Sequence, residues 1–265
     1  NEKDTTRARA IILREVLNNS QKQNAFDSEE IKEVMDLCLS CKGCKSECPS
    51  NVDVGKLKAE FQYQYYKSKN VPWRTKLIGN FSKLNKLVSK VPWVYNLGMH
   101  SPISSLTKKL IGFHPNRSMP ELAKQTVERW LKENKSAYGS PVKAVGSLYL
   151  FIDEFTNYND ASIGITTIKL LHKLGYEVKT IKHAESGRSF LSKGLLDQAK
   201  EIAIENVNLF SPLVDANSPL VGIEPSAILG FRDEYPDLVE KADKKKADDL
   251  ASCTYTLEEF LSKEL

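Results

Sequence analysis

Apolar residues recur at helical spacing through the first quarter of the chain. Ile11, Ile12, Val16 and Leu17 give residues 5–17 one apolar side, and Asp4 stands where an N-cap would close the first turn. Ile31, Val34, Met35 and Leu37 predict a second helix starting after Asp27, whose spacing to Glu30 makes a capping box. Asp53 heads a third helix, through about Tyr66, with Val54, Leu57, Phe61 and Tyr65 on one side. Farther on, Val71-Pro72-Trp73 and Val91-Pro92-Trp93 frame an amphipathic helix carrying Leu77, Phe81, Leu84 and Val88. From about Val145 the pattern changes. Residues 147–152 are a short apolar run fit for a buried strand, residues 163–174 are helical and stop at Gly175, and residues 177–181 predict the next strand. A helix over residues 192–206 and a third strand over 220–223 follow. This alternation predicts a parallel sheet covered by helices.

The fold class expected is therefore α+β overall. A helical domain of ferredoxin type (residues 1–68) leads through a basic helical connector (69–140) into an α/β domain with a mostly parallel sheet (141–265). A length of 265 residues fits two domains, and 41% hydrophobic with 27% charged residues is ordinary for a globular chain. No apolar run is long enough to span a bilayer and no secretory leader is present, which places the chain in a reducing compartment, the cytoplasm. With its start at Asn1 without methionine, the chain is expected to be a piece of a longer protein.

The net charge of +4 hides a segregation. Residues 61–120 hold 10 basic side chains and no acidic one. Two readings follow for residues 71–110. Lys76, Lys83, Lys86 and Lys90 form a solvated face while the apolar side packs on the core, which is the usual case. Alternatively the segment lies peripherally on an anionic membrane, where each Lys or Arg contributes about 1 kcal/mol. No nucleic-acid reader motif accompanies the charge.

The chemistry sits between the second and third helices. Cys38, Cys41, Cys44 and Cys48, the last followed by Pro49, form the CxxCxxCxxxCP run that wraps a [4Fe-4S] cubane. Thiolates three residues apart let one tight loop close three sulfurs on three corners of a cluster. The cysteine before the proline turns away from them, and in two-cluster ferredoxins it ligates the neighbouring cluster. Zinc also uses CxxC pairs, but on separate hairpins about a dozen or more residues apart, and disulfides need an oxidising compartment. Cys253 stands alone as a free thiol. None of His100, His114, His172 and His183 has ligand spacing, and no glycine pattern matches a nucleotide loop. No catalytic residue and no organic-cofactor site is expected in the chain, and the clustered thiols point to an electron carrier.

Phe151-Ile152-Asp153-Glu154-Phe155-Thr156-Asn157-Tyr158, Ser186-Gly187-Arg188, Glu224-Pro225-Ser226 and Phe231-Arg232-Asp233-Glu234-Tyr235-Pro236 add a family resemblance. With the cysteine run, they resemble the C-terminal iron–sulfur part of large bacterial FAD-linked oxidases of the D-lactate and D-2-hydroxyglutarate dehydrogenase type. The resemblance covers nearly the whole chain. It implies a relay in which a flavin, held in another domain or subunit, takes hydride from a 2-hydroxy acid and passes electrons through cubanes to an acceptor. It also implies that Cys38, Cys41 and Cys44 hold one cluster and Cys48 the next, and that the α/β half is similar to a cysteine-rich domain whose CCG motifs hold a further metal. Here the sequence departs from the pattern. Glu185-Ser186-Gly187-Arg188 stands where Cys-Cys-Gly-Arg is expected, and Ala227 follows Glu224-Pro225-Ser226 in place of cysteine. Serine and alanine cannot replace soft sulfur donors, so this half is expected to keep the fold without the metal. Arg188, Glu224 and Arg232 are candidates for an acceptor surface, against a plain role in turns and caps. The competing function is a non-catalytic docking module whose cluster is structural and which attaches a flavin partner to a membrane or protein.

Overall fold

A computed structural model of the chain describes residues 5–101, 103–134, 138 and 144–264. They form two compact units: residues up to Gly79 together with Ser189–Gln198, and Asn80–Arg188 together with Ala199–Leu265.

In the first unit, α1 (Thr6–Asn19) is capped by the Thr5 hydroxyl, which accepts from the Ala8 N–H at 3.1 Å. The expected cap, Asp4, lies outside the described residues. Helix α2 (Glu29–Asp36) starts one residue later than expected. The Ser28 hydroxyl accepts from the Ile31 N–H at 3.3 Å, so the third helical position is apolar and no capping box forms. Asp27 instead pairs with Lys69 at 3.3 Å. A short helix α3 (Gly43–Glu47), which the spacing did not predict, lies inside the cysteine loop. Helix α4 (Val54–Ser68) begins as expected, with the Asp53 carboxylate accepting from the Lys56 N–H at 3.0 Å. Helix α5 (Trp73–Gly79) completes the unit's N-terminal part.

Leu13, Ile31, Met35, Val54, Phe61 and Tyr65 make the core of this unit, with the Phe61 ring against those of Phe26 and Tyr65. Leu37 does not join it and is exposed. The turn at Ser189–Gln198 lies against α4. Gly194 has φ +67°, and a Cβ there would come within 2.4 Å of the Gln62 Cβ, so glycine alone permits the approach. This turn explains why the helix expected from residue 192 begins only at Leu196.

The second unit opens with α6 (Phe81–Val88), α7 (Pro92–His100) and α8 (Ile103–Leu110). The single amphipathic helix expected between the two Val-Pro-Trp entries is broken, α5 ending at Gly79 and α6 beginning at Phe81. Helix α9 (Val127–Glu133) leads into β1 (Gly146–Phe151). Then come α10 (Glu154–Tyr158), α11 (Ala161–Lys173) and β2 (Tyr176–Lys179); α12 (Arg188–Leu191) leads into the first unit's segment Ser189–Gln198, α13 (Leu196–Phe210) leads out of it, and β3 (Leu220–Gly222) follows. Four short helices, α14 (Pro225–Ile228), α15 (Gly230–Asp233), α16 (Tyr235–Leu238) and α17 (Lys244–Ser252), precede β4 (Thr254–Thr256) and α18 (Leu257–Glu264).

The sheet runs in the order β2-β1-β3-β4 and is parallel throughout. Both of its faces are covered, as buried parallel strands require. Leu148, Leu150 and Val221 face a core with Ile168, Leu171, Trp130 and Phe260, while Phe151 and Leu220 face another with Val207, Phe210, Phe231 and Tyr235. Gly222 ends β3 where α14 crosses closest: an added Cβ would sit 2.4 Å from the Ile228 Cβ. Gly222→Ala is expected to cost about 1–3 kcal/mol by overpacking, read from the midpoint of urea unfolding. A loss below about 0.5 kcal/mol would mean that α14 yields freely.

Candidate metal centre

The cysteine loop is shaped by two left-handed residues, Ser40 at φ 55° and Lys42 at φ 61°. They turn the chain from the end of α2 into α3, which Lys42 heads as its N-cap residue. Cys38 and Cys44 pack against the unit's core, Cys41 is exposed, and Cys48 ends α3. All four are free thiols.

Backbone N–H groups are aimed at sulfur. The Ser40 N–H donates to Cys38 Sγ at 3.4 Å. The N–H groups of Val52, Ser50 and Asn51 surround the Cys48 sulfur and hold its thiol below the ordinary range. Such donors stabilise thiolates and tune iron–sulfur clusters, so the chemistry around Cys38 and Cys48 suits a cubane, while the described residues do not gather three of the four cysteines around one position. Cys48 has its own nest of donors, separate from the contacts of Cys38 and Cys44.

Spacing did not reveal Lys58. It lies on α4, buried, and its ammonium donates to the Cys38 carbonyl. Burial pushes the amine down, while negative charge at Cys38 would oppose that shift. A buried lysine within a run of helical positions looks like any surface lysine in the sequence. Cys253 belongs to the other unit, between α17 and β4. Among the described residues, no group of three or more His, Cys, Asp or Glu side chains, the loop cysteines included, is gathered closely enough to hold a metal ion.

In the α/β half, the segments matching the degenerate motifs all follow the carboxyl ends of parallel strands, where open α/β sheets place their sites. Asp153 and Glu154 follow β1, Glu185 and Ser186 follow β2, and Glu224 follows β3. Ser186 donates to the Glu154 carboxylate twice, through N–H at 2.8 Å and hydroxyl at 2.7 Å. The Tyr235 hydroxyl donates to the Ser186 carbonyl at 3.0 Å, and Asn206 bridges Tyr235 to the Glu185 carbonyl. Ala227 is core. An oxygen network and a buried methyl group therefore occupy the two positions, and neither is a soft metal donor. Arg188 pairs with Glu234 at 3.4 Å and Arg232 with Glu259 at 2.7 Å, while Glu224 caps α14, accepting from the Ser226 N–H.

The four histidines are accounted for singly. His183 is stacked on Phe151, with burial pushing its imidazole below the ordinary range. His100 pairs with Glu121, His172 meets the edge of Tyr138, and His114 accepts from the Asn116 N–H.

Asp153 caps α10, accepting from the N–H groups of Phe155 and Thr156 and from the Thr156 hydroxyl. Burial outweighs these bonds and pushes the carboxyl up to about 6. The folded state thus takes up a proton at a pH where the unfolded chain does not. Stability from this group is complete below about pH 4 and is lost as pH rises through about 6, in total about 3 kcal/mol. Glu154 and Glu185 are shifted the same way, also by burial. His183 acts oppositely, so the group is isolated by difference: the gap in unfolding free energy between the unaltered chain and Asp153→Asn should move in favour of the variant between pH 4 and pH 7. A gap constant across this window would refute the shift.

Residues 1–53 match the family described as the 4Fe-4S dicluster domain. The chain is 28% identical over 215 residues to D-2-hydroxyglutarate dehydrogenase of Escherichia coli strain K12, covering 78% of this chain and 21% of that protein. It is also 28% identical over 240 residues to the Haemophilus influenzae D-2-hydroxyglutarate dehydrogenase, with 87% and 23% covered. One subunit of the anaerobic glycerol-3-phosphate dehydrogenase of Escherichia coli strain K12 is 24% identical over 155 residues, which are 58% of this chain and 38% of that relative. No solved structure matches the chain. The chain spans about a fifth of the length of the D-2-hydroxyglutarate dehydrogenases it matches, in their C-terminal part, and carries an iron–sulfur domain similar to theirs.

Proposed function

We propose that this chain is the electron-transfer portion of an FAD-linked oxidoreductase acting on a 2-hydroxy acid, with the flavin and the substrate site in another domain or subunit. The observation that carries this reading is the cysteine loop: four free thiols within eleven residues, with backbone N–H donors on the sulfurs of Cys38 and Cys48. The names of the similar dehydrogenases favour D-2-hydroxyglutarate over D-lactate as the acid oxidised by the whole protein.

A bound cubane would supply a one-electron redox centre. Cys38, Cys41 and Cys44 would hold it, and Cys48 would reach a second cluster, in keeping with the two-cluster family matched by residues 1–53. The Lys58 ammonium places positive charge behind Cys38, which favours an electron-rich state of the loop. Free thiols throughout the loop suit a reducing compartment, the cytoplasm. The α/β unit serves as a scaffold whose metal site has been replaced by the Glu154–Ser186 network.

The test uses the full-length protein or the complex with its flavin partner. Anaerobic addition of D-2-hydroxyglutarate should reduce the iron–sulfur centres, followed by electron paramagnetic resonance, and Cys38→Ser should remove the signal of the centre held by this loop while flavin bleaching persists. Flavin bleaching with no change at an intact iron–sulfur centre would contradict the proposal.

A further inference from the structure

Helices α6, α7 and α8 each turn an apolar side outward, with Phe81 and Val88 of α6 and Met99 of α7 half-buried on the attached side. At about 100° per residue, Ser82 and Asn85 lie on one side of α6 and Leu84 and Leu87 on the other, and it is the polar pair that is buried. Asn85 is 4% exposed and donates to the Asn159 side chain, whereas Leu87 is 63% exposed. Helix α8 repeats the arrangement, with Ser104 and Lys108 buried and Leu106 and Leu110 exposed. Helix α7 is tethered by polar side chains: Tyr95 donates to the Pro120 carbonyl, Asn96 exchanges two hydrogen bonds with Leu122, and His100 pairs with Glu121. Its other side, Trp93, Val94 and Leu97, faces outward, Trp93 being 68% exposed.

An apolar side turned away from a polar attachment is the reverse of what a helix on a protein core does. Single exposed leucines are unremarkable, but three successive helices that each leave an apolar side in the open indicate a surface with an occupant. The charge identifies its class. Residues 61–120 contain no Asp or Glu, and Lys83, Lys86, Lys90 and Lys109 flank the apolar positions. Tryptophan and leucine beside lysines suit the boundary between headgroups and acyl chains, where the apolar side chains enter and the ammonium groups remain with anionic phosphates. No helix among the described residues is long and apolar enough to cross a membrane.

We propose that α6, α7 and α8 form a monotopic docking surface for an anionic lipid bilayer, with Leu87, Trp93, Leu97, Leu106 and Leu110 inserted. The proposal is independent of the electron-transfer reading, since it requires neither a cluster nor a flavin.

The test is flotation of the chain with vesicles of phosphatidylcholine alone or mixed with phosphatidylglycerol. The chain should float with the mixed vesicles at low ionic strength and not with the neutral ones. Leu87→Glu/Leu97→Glu and, separately, Lys83→Glu/Lys86→Glu/Lys90→Glu should each lower partitioning by about tenfold or more. Both sets alter exposed positions, and unchanged circular dichroism would show that the fold is retained. Brominated acyl chains should quench the unaltered chain more than Trp93→Phe. Absence of binding to the mixed vesicles, or binding indifferent to the leucine substitutions, would overturn the proposal and assign the face to a protein partner.

Discussion

Anaerobic reconstitution of Cys38→Ser, Cys41→Ser and Cys44→Ser with iron and sulfide is expected to leave each variant with little of the iron bound by the unaltered chain. Loss of an outer-shell partner alone costs about 10- to 100-fold in metal affinity, and loss of a thiolate should exceed that. Cys48→Ser should lower iron content less than the other three, because in the two-cluster reading its thiolate serves a neighbouring cluster to which the cysteine loop supplies no other thiolate. Cys253→Ser should change nothing, because that thiol belongs to the other unit. Iron per chain and the visible absorption of the cluster are the readouts. Equal loss on changing Cys253 would contradict the assignment, as would full iron retention in any of the first three variants.

The second large effect is expected at Phe61. Its ring is fully buried between Phe26 and Tyr65 in a small core with Leu13, Ile31, Met35 and Val54. Phe61→Ala should cost about 3–5 kcal/mol, because a small core has little capacity to collapse around the cavity. It should also weaken iron binding, since α4 carries both Phe61 and Lys58, and Cys38 and Cys44 pack on the same core. Urea unfolding followed by circular dichroism measures the first effect and iron content the second. A loss below about 1 kcal/mol would show that α4 is not held by this core.

The cofactor class was legible because thiol spacing is a covalent constraint that tertiary context cannot override. The Asp53 cap and the parallel sheet were legible for similar reasons, one a short-range hydrogen bond and the other a strong alternation of apolar runs with helices. Ser28 displaced Asp27 as a cap because the two differ by one position and both can accept from a third-residue N–H. The strand β4 escaped notice because Thr254–Thr256 is only three residues long and carries no apolar run. The start of α13 was misplaced because Gly194 serves a turn against α4, a residue far off in sequence. The outward apolar side of α6 and α8 was invisible for a deeper reason: periodicity locates the apolar side of a helix, not which side the fold buries. Glu154 likewise gave no signal as the partner of Ser186, since the pair is 32 residues apart.

The central claim, that the cysteine loop carries an electron and does not merely brace the fold, is tested most directly by potentiometric titration of the anaerobically reconstituted chain. The account predicts a reversible one-electron signal within the roughly −700 to +450 mV range of protein iron–sulfur centres, shifted to lower potential in Lys58→Gln by removal of the positive charge behind Cys38. A cluster that assembles fully yet stays in one oxidation state across that range would contradict it.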